Sequence, residues 1–265
     1  MECCRIMGIL NVTPDSFHDG GRYFDRARAV ARAYEIRDEG ADIIDIGGES
    51  TRPGSEPVGP GEEIDRVCPV IEAIAGDIGI PVSVDTSKSA VARAALAAGA
   101  AIVNDISGLS FDDAMAGAVA ERKAGIVLMH IQGRPATMQN NPRYDDLIGE
   151  IRGFLDEAVR RAVTAGIARE KIIVDPGIGF GKTLEDNYRI IHNLHKFKEL
   201  GLPVLVGLSR KSLIGKLYQR EEDRLPATIA LNAAAIMNGA DMIRVHDVRA
   251  HRLALEGLEM LKRVS

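Results

Sequence analysis

Two patterns alternate along the chain. Short apolar runs rich in Ile and Val recur and end abruptly in glycine or polar residues: "RIMGILNVTPDS", "DIIDIGGEST", "PVSVDTSKS", "AIVNDISG", "GIVLMHIQG", "KIIVDPGIG", "PVLVGLSRKS" and "DMIRVHDV". Near-continuous apolar runs of this length fit strands covered on both faces, as in a parallel sheet. Helical patterns lie between them. Asp25 can cap "RARAVARAYEIRDEG", where Ala27, Val30, Ala31 and Tyr34 share a stripe and Gly40 ends the turn. "KSAVARAALAAGA" repeats the device with Gly99 as its stop, "YDDLIGEIRGFLDEAVRRAVTAG" is long enough for several turns, and "VRAHRLALEGLEMLKRV" is a C-terminal amphipathic helix. Eight strand-helix units at roughly 33 residues each predict an α/β chain folded as one (β/α)8 TIM barrel, a single domain over residues 1–265. A doubly wound open sheet is the alternative, but it seldom needs eight such regular units.

A barrel places its chemistry at the carboxyl ends of its strands. Here those ends carry Asn11, Asp45, Glu49, Asp85, Asn104, Asp105, His130, Asp175, Lys211, Arg244 and His246. Taken singly, each fits a polar loop residue or a helix cap, as Asp85 and Asn104 could for the helices that follow them. As a set they ask for more, because burying carboxylates and amides among Val and Ile costs several kcal/mol unless each finds a partner. A ligand can supply those partners. The acceptors of Asp85, Asp175 and Asn104 suit a flat heterocycle edge rich in N–H donors. The cations Lys211, Arg244 and His246, with the hydroxyls of Ser209 and Ser212, suit phosphate or diphosphate. Asn11 and Asp19 offer the hard oxygens that Mg²⁺ accepts while keeping several waters. The pattern predicts a nitrogenous heterocycle with a phosphorylated arm, and does not choose the reaction.

Bulk properties narrow the class. Of 265 residues, 46% are apolar and 27% charged, an ordinary globular composition. The formal net charge of -5 argues against a nucleic-acid surface, so an anionic substrate must meet local cations. Three cysteines form neither a disulfide framework nor a CxxC spacing, and no apolar run reaches membrane-span length or forms a signal peptide, so a cytoplasmic protein is expected. "DPGIGFGKT" imitates a phosphate cradle, but Pro176 holds the place of the first P-loop glycine and Lys182 that of the third Rossmann glycine. The barrel assigns it instead to the sixth strand end. No zinc spacing, GxSxG or Ser-His-Asp arrangement is present, and His192 and His195 fall on the surface of a helical pattern.

"GILNVTPDSF", "GGESTRPG", "SVDTSK", "NDISG", "LMHIQG", "DPGIGFGKT", "GLSRKS" and "RVHDV", one per strand end and in order, closely resemble the dihydropteroate synthases, and the resemblance runs through nearly the whole chain. It implies a (β/α)8 barrel, a homodimer, and a step of the folate pathway. That step joins (7,8-dihydropterin-6-yl)methyl diphosphate to 4-aminobenzoate with the help of Mg²⁺, releasing diphosphate. By position it puts Asn11 on the metal, Asp85, Asn104, Asp175 and Lys211 around the pterin, and Asn11, Thr51, Arg52, Arg244 and His246 at the diphosphate. Thr51, Pro53, Phe180, Lys211 and Ser212 match the 4-aminobenzoate pocket, while Arg52 and Asp19 fall on loops that close over the reacting groups, so that Asp85, Lys211, Arg52 and Asp19 form the implied catalytic set. His18 stands where Ser is usual and Leu213 where Phe is frequent, which bears on sulfonamide affinity and loop closure. Two rivals are a pterin-dependent methyltransferase domain, which does not need "GGESTRPG" or "GLSRKS", and a non-catalytic pterin-binding module, which could lose Asn11, Arg52, Lys211 or His246.

Overall fold

The computed structural model describes residues 4–13, 22–51, 54–215, 218, 220 and 223–263. Its strands are β1 (Arg5–Asn11), β2 (Ile43–Gly47), β3 (Val82–Asp85), β4 (Ile102–Asp105), β5 (Gly125–Met129), β6 (Ile172–Asp175), β7 (Leu205–Val206) and β8 (Met242–Val245). The helices are α1 (Arg22–Asp38), α2 (Pro60–Ile74), α3 (Ser89–Ala97), α4 (Met115–Glu121), α5 (Leu147–Thr164), α6 (Leu184–His192), a short α7 (Ser212–Gly215), α8 (Arg224–Met237) and α9 (Val248–Arg263). Every strand pair is parallel, in the order β6-β5-β4-β3-β2-β1-β8-β7. A single bridge, Val174 to Val204, joins the two ends and closes the sheet into the expected (β/α)8 barrel.

Successive strand residues point to opposite faces, and the burial pattern follows. Outward residues such as Ile6, Ile44, Val84, Val103, Ile126 and Val245 pack under the helices with Ile36, Ile71, Ala95 and Leu155 in the main core. Inward residues Met7, Ile43, Val127, Ile173, Leu205 and Met242 form a separate apolar plug at the amino-terminal end of the barrel. Further along β2, β3, β4, β6 and β8 the same inward face changes character. Asp45, Ser83, Asp85, Asn104, Asp175 and Arg244 occupy it, all on the carboxyl side of the plug.

The helix ends mostly follow local chemistry. Gly40 and Gly99 terminate their turns at φ of 99° and 114°, a region costly for residues with a Cβ. Asp146 caps α5 by accepting from the Gly149 amide at 3.2 Å. Thr183 caps α6 in a reciprocal box with Asp186. One expectation fails: α1 starts at Arg22, so Asp25 lies inside the helix rather than capping it. Tertiary contact with β1 and β2 carries the helix past the local signal.

Candidate active site

The polar layer is a network built around one guanidinium. Arg244 on β8 donates from Nε to Asp45 Oδ2 at 2.6 Å and from Nη2 to Asp85 Oδ2 at 2.6 Å. Asn104 on β4 donates its amide nitrogen to the same Asp45 oxygen at 2.9 Å. That bond orients the amide, so its oxygen is the group not engaged with Asp45. Burial pushes the Asp85 carboxyl up to about 7, against the opposing pull of Arg244. Asp45 Oδ1 and Ser83 Oγ, at paired positions of β2 and β3, are buried without a protein partner.

Across the barrel, Asp175 at the end of β6 accepts from the Gly177 amide at 2.7 Å, and burial raises its carboxyl above the usual range while Lys211 opposes the shift. Lys211 comes from the loop after β7. Its neighbour Arg210 holds a left-handed φ of 57° and pairs with Asp247 at 3.0 Å, and this turn brings Lys211 back over the mouth. The Lys211 amine donates to the Ile178 carbonyl at 2.5 Å and lies 4.6 Å from the centre of the Phe180 ring. Burial lowers its pKa to about 8, with Asp175 pulling the other way. His246, past β8, is fixed by Ser209, whose hydroxyl lies 2.9 Å from Nδ1 and accepts from the His246 amide at 3.3 Å.

Two inward positions carry no side chain. A Cβ on Gly47 would stand 3.7 Å from Asn11 Oδ1 and 3.9 Å from Asp85 Oδ2. A Cβ on Gly207 would stand 3.5 Å from the Lys211 amine. Glycine therefore leaves space on two sides of the mouth next to its charged groups, which suits a flat ligand better than a bulky one.

Not every strand-end residue joins this site. Asp105 accepts from the Ser107 amide, the Ser107 hydroxyl and the Leu109 amide at 2.7–2.8 Å, so it shapes the loop after β4. Glu49 takes the Val58 amide at 2.8 Å and Lys88 at 2.6 Å, anchoring the loop after β2. His130 packs edge-on against Phe154 and touches Lys182, behind the mouth. Thr51 is half-buried at the start of its loop. Asp19, Arg52, Pro53 and His18 lie outside the described residues, as does the side chain of Ser212, whose backbone opens α7. Leu213 is buried in the main core, so it reaches the site only through the packing of α7.

The sequence reading missed the Lys182 amine. It is 2% exposed and points inward, donating to the Phe180 carbonyl at 2.9 Å and lying 3.0 Å from His130 Nδ1. "GKT" thus resolves into a buried lysine followed by a helix cap, both engaged within the protein. No local signal distinguishes a lysine turned inward from one left in solvent.

A family model described as pterin binding enzyme matches residues 7–246. A dihydropteroate synthase of Synechocystis sp. is 50% identical over 247 residues, covering 92% of this chain and 86% of the relative. A dihydropteroate synthase of Clostridium difficile, solved in the presence of pteroic acid, superposes with a TM-score of 0.92 at 42% identity, covering 98% of this chain and 97% of that one. The Xanthomonas albilineans enzyme, solved with 4-aminobenzoic acid, gives a TM-score of 0.92 at 44% identity, covering 98% and 94%. With a match spanning all eight strands but the ends of the chain, and half the aligned residues identical, the chain belongs to the pterin-binding enzymes and, among them, to the dihydropteroate synthases.

Proposed function

We infer that this barrel joins (7,8-dihydropterin-6-yl)methyl diphosphate to 4-aminobenzoate, yielding 7,8-dihydropteroate and diphosphate for tetrahydrofolate synthesis. The observation that carries the reading is the buried Arg244–Asp45–Asp85–Asn104 network facing Asp175 and Lys211, acceptors and donors placed for a pterin edge on a chain of this family. Asp85, Asp175 and the oriented Asn104 oxygen accept the pterin N–H groups, and Lys211 donates. His246, held by Ser209, with Arg244, Thr51, Asn11 and Arg52, meets the diphosphate. Arg244 already spends Nε and Nη2 on carboxylates, so its remaining donors and its field are what the phosphates meet.

The donor chemistry also fits Mg²⁺. Among the described residues no cluster of three His, Cys, Asp or Glu could hold a metal, but Asn11 Oδ1 lies beside Gly47, 3.7 Å from where a Cβ on that glycine would stand. One or two protein oxygens, completed by water and substrate phosphate, is the usual Mg²⁺ arrangement. When bound, the ion would neutralise charge on the leaving diphosphate.

As diphosphate departs, positive charge spreads from the methylene carbon into the pterin, where Asp85 and Asp175 stabilise it. The aromatic amine, seated among Thr51, Pro53, Phe180, Lys211 and Ser212, attacks that carbon and sheds a proton. No covalent nucleophile is required; positioning and electrostatics carry the rate. Arg52 and Asp19, on their loops, close over the reacting groups. Residues 1–265 are taken as one domain acting in the cytoplasm; no helix of the described residues is long and apolar enough to cross a membrane. A homodimer would cover Met237, Leu253 and Met260, large exposed apolar side chains on α8 and α9.

The deciding assay mixes purified protein with the pterin diphosphate, 4-aminobenzoate and Mg²⁺. Diphosphate release that requires aminobenzoate is expected; release without it, or none, would overturn the reading.

A further inference from the structure

The loop after β6 has an unusual backbone. Gly177, Gly179 and Gly181 take φ of 73°, 83° and 65°, so left-handed and ordinary conformations alternate and successive carbonyls turn in different directions. Each of four consecutive carbonyls is claimed by a side chain, three of them from other segments and one from Lys182 of the same loop. Ile178 accepts from the Lys211 amine at 2.5 Å, Gly179 from Gln139 Nε2 at 2.7 Å, Phe180 from the Lys182 amine at 2.9 Å, and Gly181 from the Tyr144 hydroxyl at 2.6 Å. Isolated turns normally leave such carbonyls to water. Here the loop is pinned from both sides.

Lys182 is the buried member of the clamp. Its amine also lies 3.0 Å from His130 Nδ1 and 3.5 Å from the His130 carbonyl, so the loops after β5 and β6 share one cation. Burial and the Lys182 charge lower the His130 pKa to about 2, which keeps the ring neutral and leaves Nδ1 as the acceptor. The carbonyl that Lys182 holds belongs to Phe180, whose ring packs with Met129, Ile131 and Met138 and lies beneath the Lys211 amine. Moving that carbonyl would swing the ring.

We propose that Lys182 is a positioning residue for the amine substrate: with Gln139 and Tyr144 it fixes the carbonyls of residues 179–181 and thereby the Phe180 ring against which 4-aminobenzoate binds. The proposal rests on the reading of Phe180 as a wall of that pocket. It makes a kinetic distinction that general destabilisation would not, because the clamp's hydrogen bonds end on the loop carbonyls and on no pterin-facing carboxylate, Asp175 feeling Lys182 only through its charge.

The test compares Lys182→Met, Gln139→Ala, Phe180→Ala and the double variant Lys182→Met/Phe180→Ala. Lys182→Met should raise KM for 4-aminobenzoate about tenfold while kcat stays within about threefold and pterin diphosphate affinity within about twofold, the signature of lost ground-state positioning. Gln139 is exposed, so Gln139→Ala should fold and show a smaller shift of the same kind. The double variant should be no worse in aminobenzoate KM than Phe180→Ala alone, because Lys182 acts through that ring. An unchanged KM in Lys182→Met beside a raised KM in Phe180→Ala overturns the proposal and leaves the pocket reading standing. An unchanged KM in Phe180→Ala removes the pocket reading, and the proposal with it. Equal losses in kcat and pterin affinity, or additive effects in the double variant, assign Lys182 a purely structural role and also overturn it. Should Lys182→Met fail to fold, Gln139→Ala decides: a selective KM rise supports the clamp and its absence overturns it.

Discussion

On the proposed function Lys211 meets its substrate as a cation, yet it lies in a site whose burial lowers its pKa to about 8. Asp85 has the converse problem, an acceptor whose burial lifts it to about 7. The signs set a narrow window. As pH rises through about 7, Asp85 ionises and can accept the pterin N–H; as pH rises through about 8, Lys211 loses its proton. The pH profile of kcat/KM, which reports the free enzyme, should therefore climb through about 7 and fall past about 8. Asp85→Asn should remove the rising limb and weaken pterin binding by about 2–5 kcal/mol, since it removes a buried charged acceptor and leaves Arg244 with Asp45 as its one remaining carboxylate partner. Lys211→Ala should abolish turnover with the fold intact. A flat profile from pH 6 to 9 in the parent enzyme would show that neither group governs the chemistry. At this scale the sequence is uneven. Asp85, Asn104 and Asp175 are legible because a polar residue closing an apolar run must find a partner inside. Asp105 closes its run in the same way but turns outward to its own loop, a difference of one step in register that the residue types do not record. Lys182 is invisible, because His130, which turns it inward, lies on a loop some fifty residues earlier.

The glycines separate what builds an element from what empties the site. Gly177 and Gly47 both border the mouth, yet they answer to different constraints. Gly177 combines φ of 73° with a Cβ position 1.9 Å from the His130 carbonyl oxygen, so an added methyl meets backbone that has nowhere to go. Gly177→Ala should cost at least about 2 kcal/mol of stability, the left-handed penalty plus the clash, seen as a lower denaturation midpoint. Gly47 has only ordinary contacts around its missing Cβ, the nearest being Asp85 Cβ at 3.6 Å. Gly47→Ala should leave the thermal midpoint within about 2 °C but weaken pterin diphosphate binding roughly tenfold by filling space beside Asn11 and Asp85. Equal stability losses in both variants would mean that Gly47 serves the barrel rather than the ligand. The strand order and most helices follow from periodicity, because alternating burial leaves its record in the residue types. Helix starts are less secure: α1 overruns the expected Asp25 cap, while Thr183 and Asp146 cap where local chemistry allows.

Closure of the barrel is where fold and function meet in the whole molecule. Among the described residues, seven neighbouring strand pairs are joined by ladders, whereas β6 and β7 meet at the isolated Val174–Val204 bridge, where Val174 N donates to Pro203 O at 3.0 Å. Asp241 reinforces the seam from β8's side by accepting from the Val204 amide at 2.7 Å and from Lys198 at 2.5 Å. A seam with so few bonds should open more readily than the rest of the sheet, since local opening follows the number of backbone bonds and contacts to be broken. Asp175 ends β6 and Lys211 follows β7, so a pterin held by both, as proposed above, would bridge the weak joint. Binding should then tighten the seam more than any other part of the barrel. In amide hydrogen exchange, Val174 should exchange faster than Ile44, whose amide bonds Pro81 across the β2–β3 ladder, and a pterin ligand at saturation should slow Val174 more than Ile44. Asp241→Ala should speed Val204 and Val174 exchange in the free protein, and pterin should restore much of that protection. Equal protection of Val174 and Ile44 by the ligand would place the pterin on one side of the seam and break the link drawn here between Asp175 and Lys211.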